Sequence, residues 1–186
     1  MVTHPKYHAI TISGKIAVGT TTLAKNLQQS IGWQYINTGF IQREFDRNHG
    51  NDENKIGAQS RSDEHEREMD AMTKTKLNSE KNIIYEAWLA GFMAQGIPGV
   101  FKILVVCSDY GIRIDRVANR ENITIDEAKA LVKQREEENI PTWKRLYGDH
   151  DFWDPKYFDL VIDTYRNGPN ESLEIVLNKL DLKPKI

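Results

Sequence analysis

The chain alternates short apolar runs with long polar stretches of helical spacing. Four of the runs, "HAITIS" (8–13), "NIIYEA" (82–87), "FKILVV" (101–106) and "FDLVID" (158–163), are rich in Ile, Val, Leu and aromatic residues. Near-continuous apolar strands of this kind lie buried on both faces of a parallel sheet. A weaker run, "WQYIN" (33–37), predicts a fifth strand. Helices are predicted over 20–31, closed by Gly32, and over about 60–78. Two more are predicted over 124–139, where Thr124 and Glu127 have capping-box spacing, and over 171–180 after "NGPNE". The threonines at 20–22 could cap the first helix. Strands alternating with helices imply right-handed crossovers and a three-layer α/β sandwich around a parallel sheet. The polar, glycine-punctuated stretch 47–68 predicts a mobile loop leading into a helix, an insertion within one domain spanning 1–186.

Composition narrows the setting. The 186 residues carry a formal net charge of −2 and one cysteine, Cys107. That length supports a core without disulfide or metal staples. A lone cysteine fits a reducing compartment, and the near-balanced charge argues against a broad nucleic-acid footprint. The first residues lack the pattern of a secretory signal, and no apolar stretch approaches the length of a membrane span. A cytoplasmic protein with small-molecule partners is expected, and the number of chains it assembles from is left open.

The candidate chemistry begins at residue 14. "GKIAVGTT" (14–21) follows the first strand and opens the first helix, close to the phosphate-loop pattern G-x-x-x-x-G-K-[ST]. Successive backbone N–H groups of such a loop, over Gly14, Lys15, Ile16, Ala17, Val18, Gly19, Thr20 and Thr21, converge on phosphate oxygens, and the helix N-terminus adds partial positive charge. Thr21 would place its hydroxyl on Mg²⁺. Thr20 stands where the pattern has a lysine, and Lys15 is the nearest cation that could take its place; alternatively Lys15 points into solvent.

Beyond the loop, "SGKIAVGTTTLAKNLQQSIGWQYINTGFIQREF", "IIYEAWLAGFM", "IRIDRVANRENITIDEA", "LYG" and "FDLVIDT" follow one another in an order that resembles the archaeal-type cytidylate kinases. The resemblance runs from about residue 8 to 180, and that family too carries threonine at the loop-lysine position. It implies a P-loop fold, ATP and Mg²⁺, a monophosphate-binding region at about 38–78 and an arginine-bearing lid at about 110–148. The implied acceptor is a pyrimidine nucleoside monophosphate, CMP or dCMP. Within "NTGFIQR" it points to Gly39 and to Arg43 as an acceptor-phosphate ligand. Glu86 matches a family carboxylate that could hold the water shell of Mg²⁺. Arg116 and Arg120 become candidates for ATP contacts and Arg135 for the transferring phosphates. Arg113, Arg116 and Arg120 share one helix face, which could equally be a solvated face paired with Asp115 and Glu121. Arg67 and Asp70 could read a base edge, or form a surface ion pair.

Two segments depart from the pattern. Trp88 replaces an arginine in "EAWLAG", as core or as a stacking face. "REEENIPTW" puts Ile140 and Thr142 where lid arginines are expected, with Pro141 between them; Lys144 and Arg145 could move into the vacancy. Retained glycines, Thr21, Arg43 and Glu86 favour an active kinase. The substitutions favour a different small-molecule acceptor or a non-catalytic nucleotide-binding protein.

Overall fold

The structure is a computed structural model that describes residues 4–48 and 61–183, without the side chain of Asp46. Five parallel strands, β1 (Ala9–Ser13), β2 (Gln34–Asn37), β3 (Ile83–Glu86), β4 (Val100–Val106) and β5 (Leu160–Asp163), form one sheet in the order β2-β3-β1-β4-β5. The helices are α1 (Thr20–Ile31), α2 (Thr38–Asn48), α3 (Asp63–Ser79), α4 (Ala90–Met93), α5 (Tyr110–Glu121), α6 (Ile125–Tyr147) and α7 (Pro169–Lys179). All five predicted strands are present within a residue or two of their expected limits. Residues 49–60, most of the loop expected at 47–68, lie outside the described residues.

Strand alternation sorts the core. Ile10 and Ile12 of β1 pack with Ile84, Ile103 and Val105, under Leu23, Leu27 and Ile31 of α1 and Val176 and Leu177 of α7. Ala9, Ile83, Tyr85 and Val100 face the other way, onto Leu77 of α3, Ala90 of α4 and Ala94 just after it. Helices therefore cover both faces, as the apolar strands require. Ile12 pairs with Glu86 and Asn37 pairs with Glu86, so the carboxyl ends of β1, β2 and β3 meet at one edge. Open parallel sheets bind ligands at that edge.

Two expectations about helix ends change. The residue before α1 is Gly19, with φ 102°, and no side chain caps the helix. Thr20 and Thr21 are already helical, and their hydroxyls go to a stronger acceptor, the carboxylate of Glu86. The capping box of Thr124 and Glu127 forms as expected. The helix it opens, however, runs to Tyr147 rather than 139, straight through Pro141. On either side of the proline, Asn139 Nδ2 donates to Arg135 O (2.6 Å) and Thr142 Oγ1 to Glu138 O (3.1 Å).

Gly14 is held by close approach. A Cβ there would lie 2.5 Å from both Val105 O and Val18 Cγ2. A carbonyl in the sheet has little room to yield, so Gly14→Ala is expected to cost about 1–3 kcal/mol through overpacking. Thermal unfolding measures this, and an unchanged Tm would contradict the close approach.

Candidate active site

Glu86 organises the edge where the three strands end. It is 7% exposed. Oε1 accepts from Thr20 Oγ1 (2.6 Å) and Thr21 Oγ1 (2.7 Å). Oε2 accepts from Asn37 Nδ2 (2.8 Å) and from the Tyr35 hydroxyl. Burial, reinforced by the Glu86 charge, pushes the Tyr35 phenol well above its usual range, so it remains a donor. The threonine at the loop-lysine position thus brings no cation to the loop; it binds the carboxylate behind it.

The loop itself is held from outside. Arg113 Nε donates to Ile16 O (3.0 Å), Arg116 NH1 to Ala17 O (3.2 Å) and Thr164 Oγ1 to Val18 O (2.6 Å). Across a trans peptide the C=O and the following N–H point in opposite directions. The N–H groups of Ala17, Val18 and Gly19 therefore point away from those three donors. Ala17 accepts a φ of 60° to make this turn, a left-handed conformation that costs a non-glycine residue about 1–2 kcal/mol.

The arginines of α5 divide by task. Arg113 is buried rather than on a solvated face; besides Ile16 O it binds Glu136 Oε1 (2.6 Å), not Asp115 or Glu121. Arg116 is engaged by the loop and by Thr164, whose Oγ1 and O it reaches at 2.9 and 3.1 Å. Arg120 is exposed and pairs with Glu121 (2.7 Å). Burial, with the charges of Arg120 and Arg43 adding, lowers the Arg135 pKa below the ordinary arginine value. The guanidinium groups of Arg43 on α2 and Arg120 on α5 thus both act on Arg135 of α6, against the opposing charges of Glu121 and Glu138.

A cavity of roughly 140 Å³ opens among α2, α3, the β3–α4 turn and α6, with Gly39, Arg43, Trp88 and Arg135 in its wall. Trp88 is half-buried. One side of it lines the cavity, and its ring packs edge-on against Trp143 (5.4 Å between centroids) and Trp153 (6.1 Å). It serves as core and as an aromatic wall at once. Lys144 and Arg145 do not enter the vacancy; they pair with Asp149 and Asp63. Thr142 is buried and Ile140 half-buried. Lys15 Nζ lies 5.1 Å from the Trp153 ring centroid.

Several wall residues escape sequence reading because their partners are far away in the chain. Glu66, buried, accepts from Arg61 Nε (2.7 Å) and from the Trp143 indole (3.2 Å). Asp70 lines the cavity and accepts from the Tyr147 hydroxyl, whereas Arg67 is exposed and does not line it. The Arg67–Asp70 pairing is thereby replaced by contacts between α3 and α6.

Burial raises the Asp70 carboxyl to about 6 from 3.8, with Glu66 adding and the Tyr147 hydrogen bond and Lys74 opposing. A folded-state pKa above the unfolded one means that the native state binds the extra proton. Stability from this group is therefore full below pH 3.8 and falls as pH rises towards 6, and the penalty is complete above that. Asp70→Asn keeps an acceptor for Tyr147 and removes the buried charge. It should gain about 1–3 kcal/mol over wild type at pH 7.5, and the gain should vanish near pH 4. Paired thermal unfolding curves at the two pH values test this; an equal difference at both would contradict it.

The sheet order, the glycine loop running into α1 and the carboxylate behind its first threonines define a P-loop kinase fold. The gluconokinase from Sinorhizobium meliloti 1021 shares that fold, with a TM-score of 0.61 at 13% identity over 97% of this chain and 94% of its own. The cytidylate kinases of Methanosarcina acetivorans and Pyrococcus abyssi are 30% and 32% identical to this chain. Each covers 92% of it, over 96% and 93% of their own lengths. A sequence model of the cytidylate kinase-like family matches residues 9–166. The chain belongs to the cytidylate kinase-like family.

Proposed function

We propose that this enzyme, a nucleoside monophosphate kinase by family, uses ATP with Mg²⁺ to phosphorylate CMP or dCMP in the cytoplasm. The observation that carries the reading is the junction of two parts. A phosphate loop with fixed peptide planes, backed by Glu86, stands beside a cavity whose wall includes Arg43 and Arg135. In this reading 38–78 is the acceptor-binding region and 110–148 the lid of a single domain. No helix among the described residues is long and apolar enough to cross a membrane.

The residues suit a hard divalent cation. Thr21 Oγ1 and the Glu86 carboxylate are oxygen ligands, and Thr21 can donate to Glu86 while offering a lone pair to a metal. Among the described residues no group of three or more His, Cys, Asp or Glu gathers as a cage. Mg²⁺, which typically takes few protein ligands, would draw its other oxygens from phosphate and water. Bound there, it would neutralise charge on the phosphate oxygens.

The N–H groups of Ala17, Val18 and Gly19 bind the donor's phosphate chain, and Lys15 supplies the loop's cation. Arg43 grips the acceptor phosphate in a two-pronged way and orients its oxygen for in-line attack. That oxygen is already anionic, so no general base is required. Arg135 and Arg120 spread compensating charge over the transferring group, and closure of α6 excludes water. A second reading, another small-molecule acceptor with a ring, is favoured by Trp88 in the cavity wall. Acceptor-dependent ADP release with CMP, dCMP, UMP, AMP and GMP separates the two. CMP or dCMP should stimulate most; stimulation by none of the five would point to the other acceptor.

A further inference from the structure

Lys15 is the cation of the loop, and something must keep it there before a phosphate arrives. Among the described residues it makes no ion pair, and the group beneath its ammonium is the indole of Trp153. That indole is fixed on several sides. Its Nε1–H donates to Trp88 O (3.1 Å), and its ring meets Trp88, Phe152 and Trp143 edge-on at 6.1, 6.2 and 6.3 Å. Its backbone N–H is held by Asp151 Oδ1 (3.1 Å). Trp88 in turn follows Glu86 by two residues, so the platform is anchored to the same strand end as the carboxylate behind the loop.

An aromatic face attracts an ammonium weakly, whereas a phosphate binds it by charge-assisted hydrogen bonds. A platform of this kind holds the lysine near the loop, limits the rotamers of a long side chain, and stays beneath the ammonium while its outer N–H groups reach the phosphate. A carboxylate in the same place would compete with the phosphate instead. We infer that Trp153 is a positioning residue for Lys15, presenting its ammonium to the phosphates of the bound nucleotide.

This inference rests on the reading of Lys15 as the phosphate-facing cation, and the test separates the two. Mg·ATP affinity is measured calorimetrically, without any acceptor, for Lys15→Met, Trp153→Leu, Trp153→Phe and the Lys15→Met/Trp153→Leu double variant. Trp153→Leu should weaken binding about 3- to 10-fold, and Trp153→Phe, which keeps a ring face, should recover most of that loss. In the Lys15→Met background Trp153→Leu should add nothing further. An equal loss in both backgrounds, or equal losses for Leu and Phe, would overturn the positioning role. If Lys15→Met alone leaves affinity unchanged, the Lys15 reading itself fails, and the inference with it. A second measurement leaves Trp153 intact, so it stands even if Trp153→Leu does not fold. Saturating Mg·ATP should change tryptophan emission in the full chain as phosphate charge reaches the ammonium held on the indole, and the change should be lost in Lys15→Met. The same change in both would overturn the inference.

Discussion

Glu86→Gln is expected to lower kcat by about 100-fold or more, with a smaller change in the KM for ATP. The carboxylate accepts four hydrogen bonds, two from Thr20 and Thr21 and two from Tyr35 and Asn37. An amide keeps one acceptor oxygen and sets an NH₂ group against two of those donors. The wrong orientation frees either the loop threonines or the β2 pair, and the negative charge is lost in both. The loss should fall on turnover, because the substitution leaves untouched the loop N–H groups proposed to bind the phosphate chain. Steady-state kinetics across a Mg²⁺ titration measure it; kcat within two-fold of wild type at saturating Mg²⁺ would remove Glu86 from the mechanism.

Arg43→Ala is the second large effect. Arg43 shares the cavity wall with Arg135, and the Arg43 charge lowers the affinity of Arg135 for its proton. An acceptor phosphate turns that repulsion into attraction. Removing one guanidinium forfeits a charge-assisted contact worth roughly 1.5–3 kcal/mol, so kcat/KM for the acceptor should fall about 10- to 150-fold. The KM for ATP should move little, since α1 and the loop are untouched. A loss confined to ATP would place Arg43 on the donor side.

The fold was legible because its signals are local. Apolar runs such as "FKILVV" and the Gly14–Gly19 turn need only neighbouring residues to be read. The site was legible in part for the same reason: loop, Glu86 and Arg43 stand in short motifs. What escaped depends on register and distance. Tyr35 and Asn37 became partners of Glu86 only because β2 pairs with β3 so that Asn37 stands opposite it. Arg113 and Thr164 grip loop carbonyls 97 and 146 residues away in the chain. The helix α6 continues past its predicted end at 139 and through Pro141, and Asn139 and Thr142 donate to backbone carbonyls around the proline. Trp88 looked like an either-or choice; a half-buried ring with one side on the cavity is both.

The central claim is transfer, rather than hydrolysis, of a phosphoryl group to a pyrimidine monophosphate. Its most direct test is product analysis by ³¹P NMR after incubating the protein with ATP, Mg²⁺ and CMP. The mechanism predicts CDP and ADP appearing in equal amounts, with little inorganic phosphate. ADP accompanied by inorganic phosphate and no CDP would contradict it.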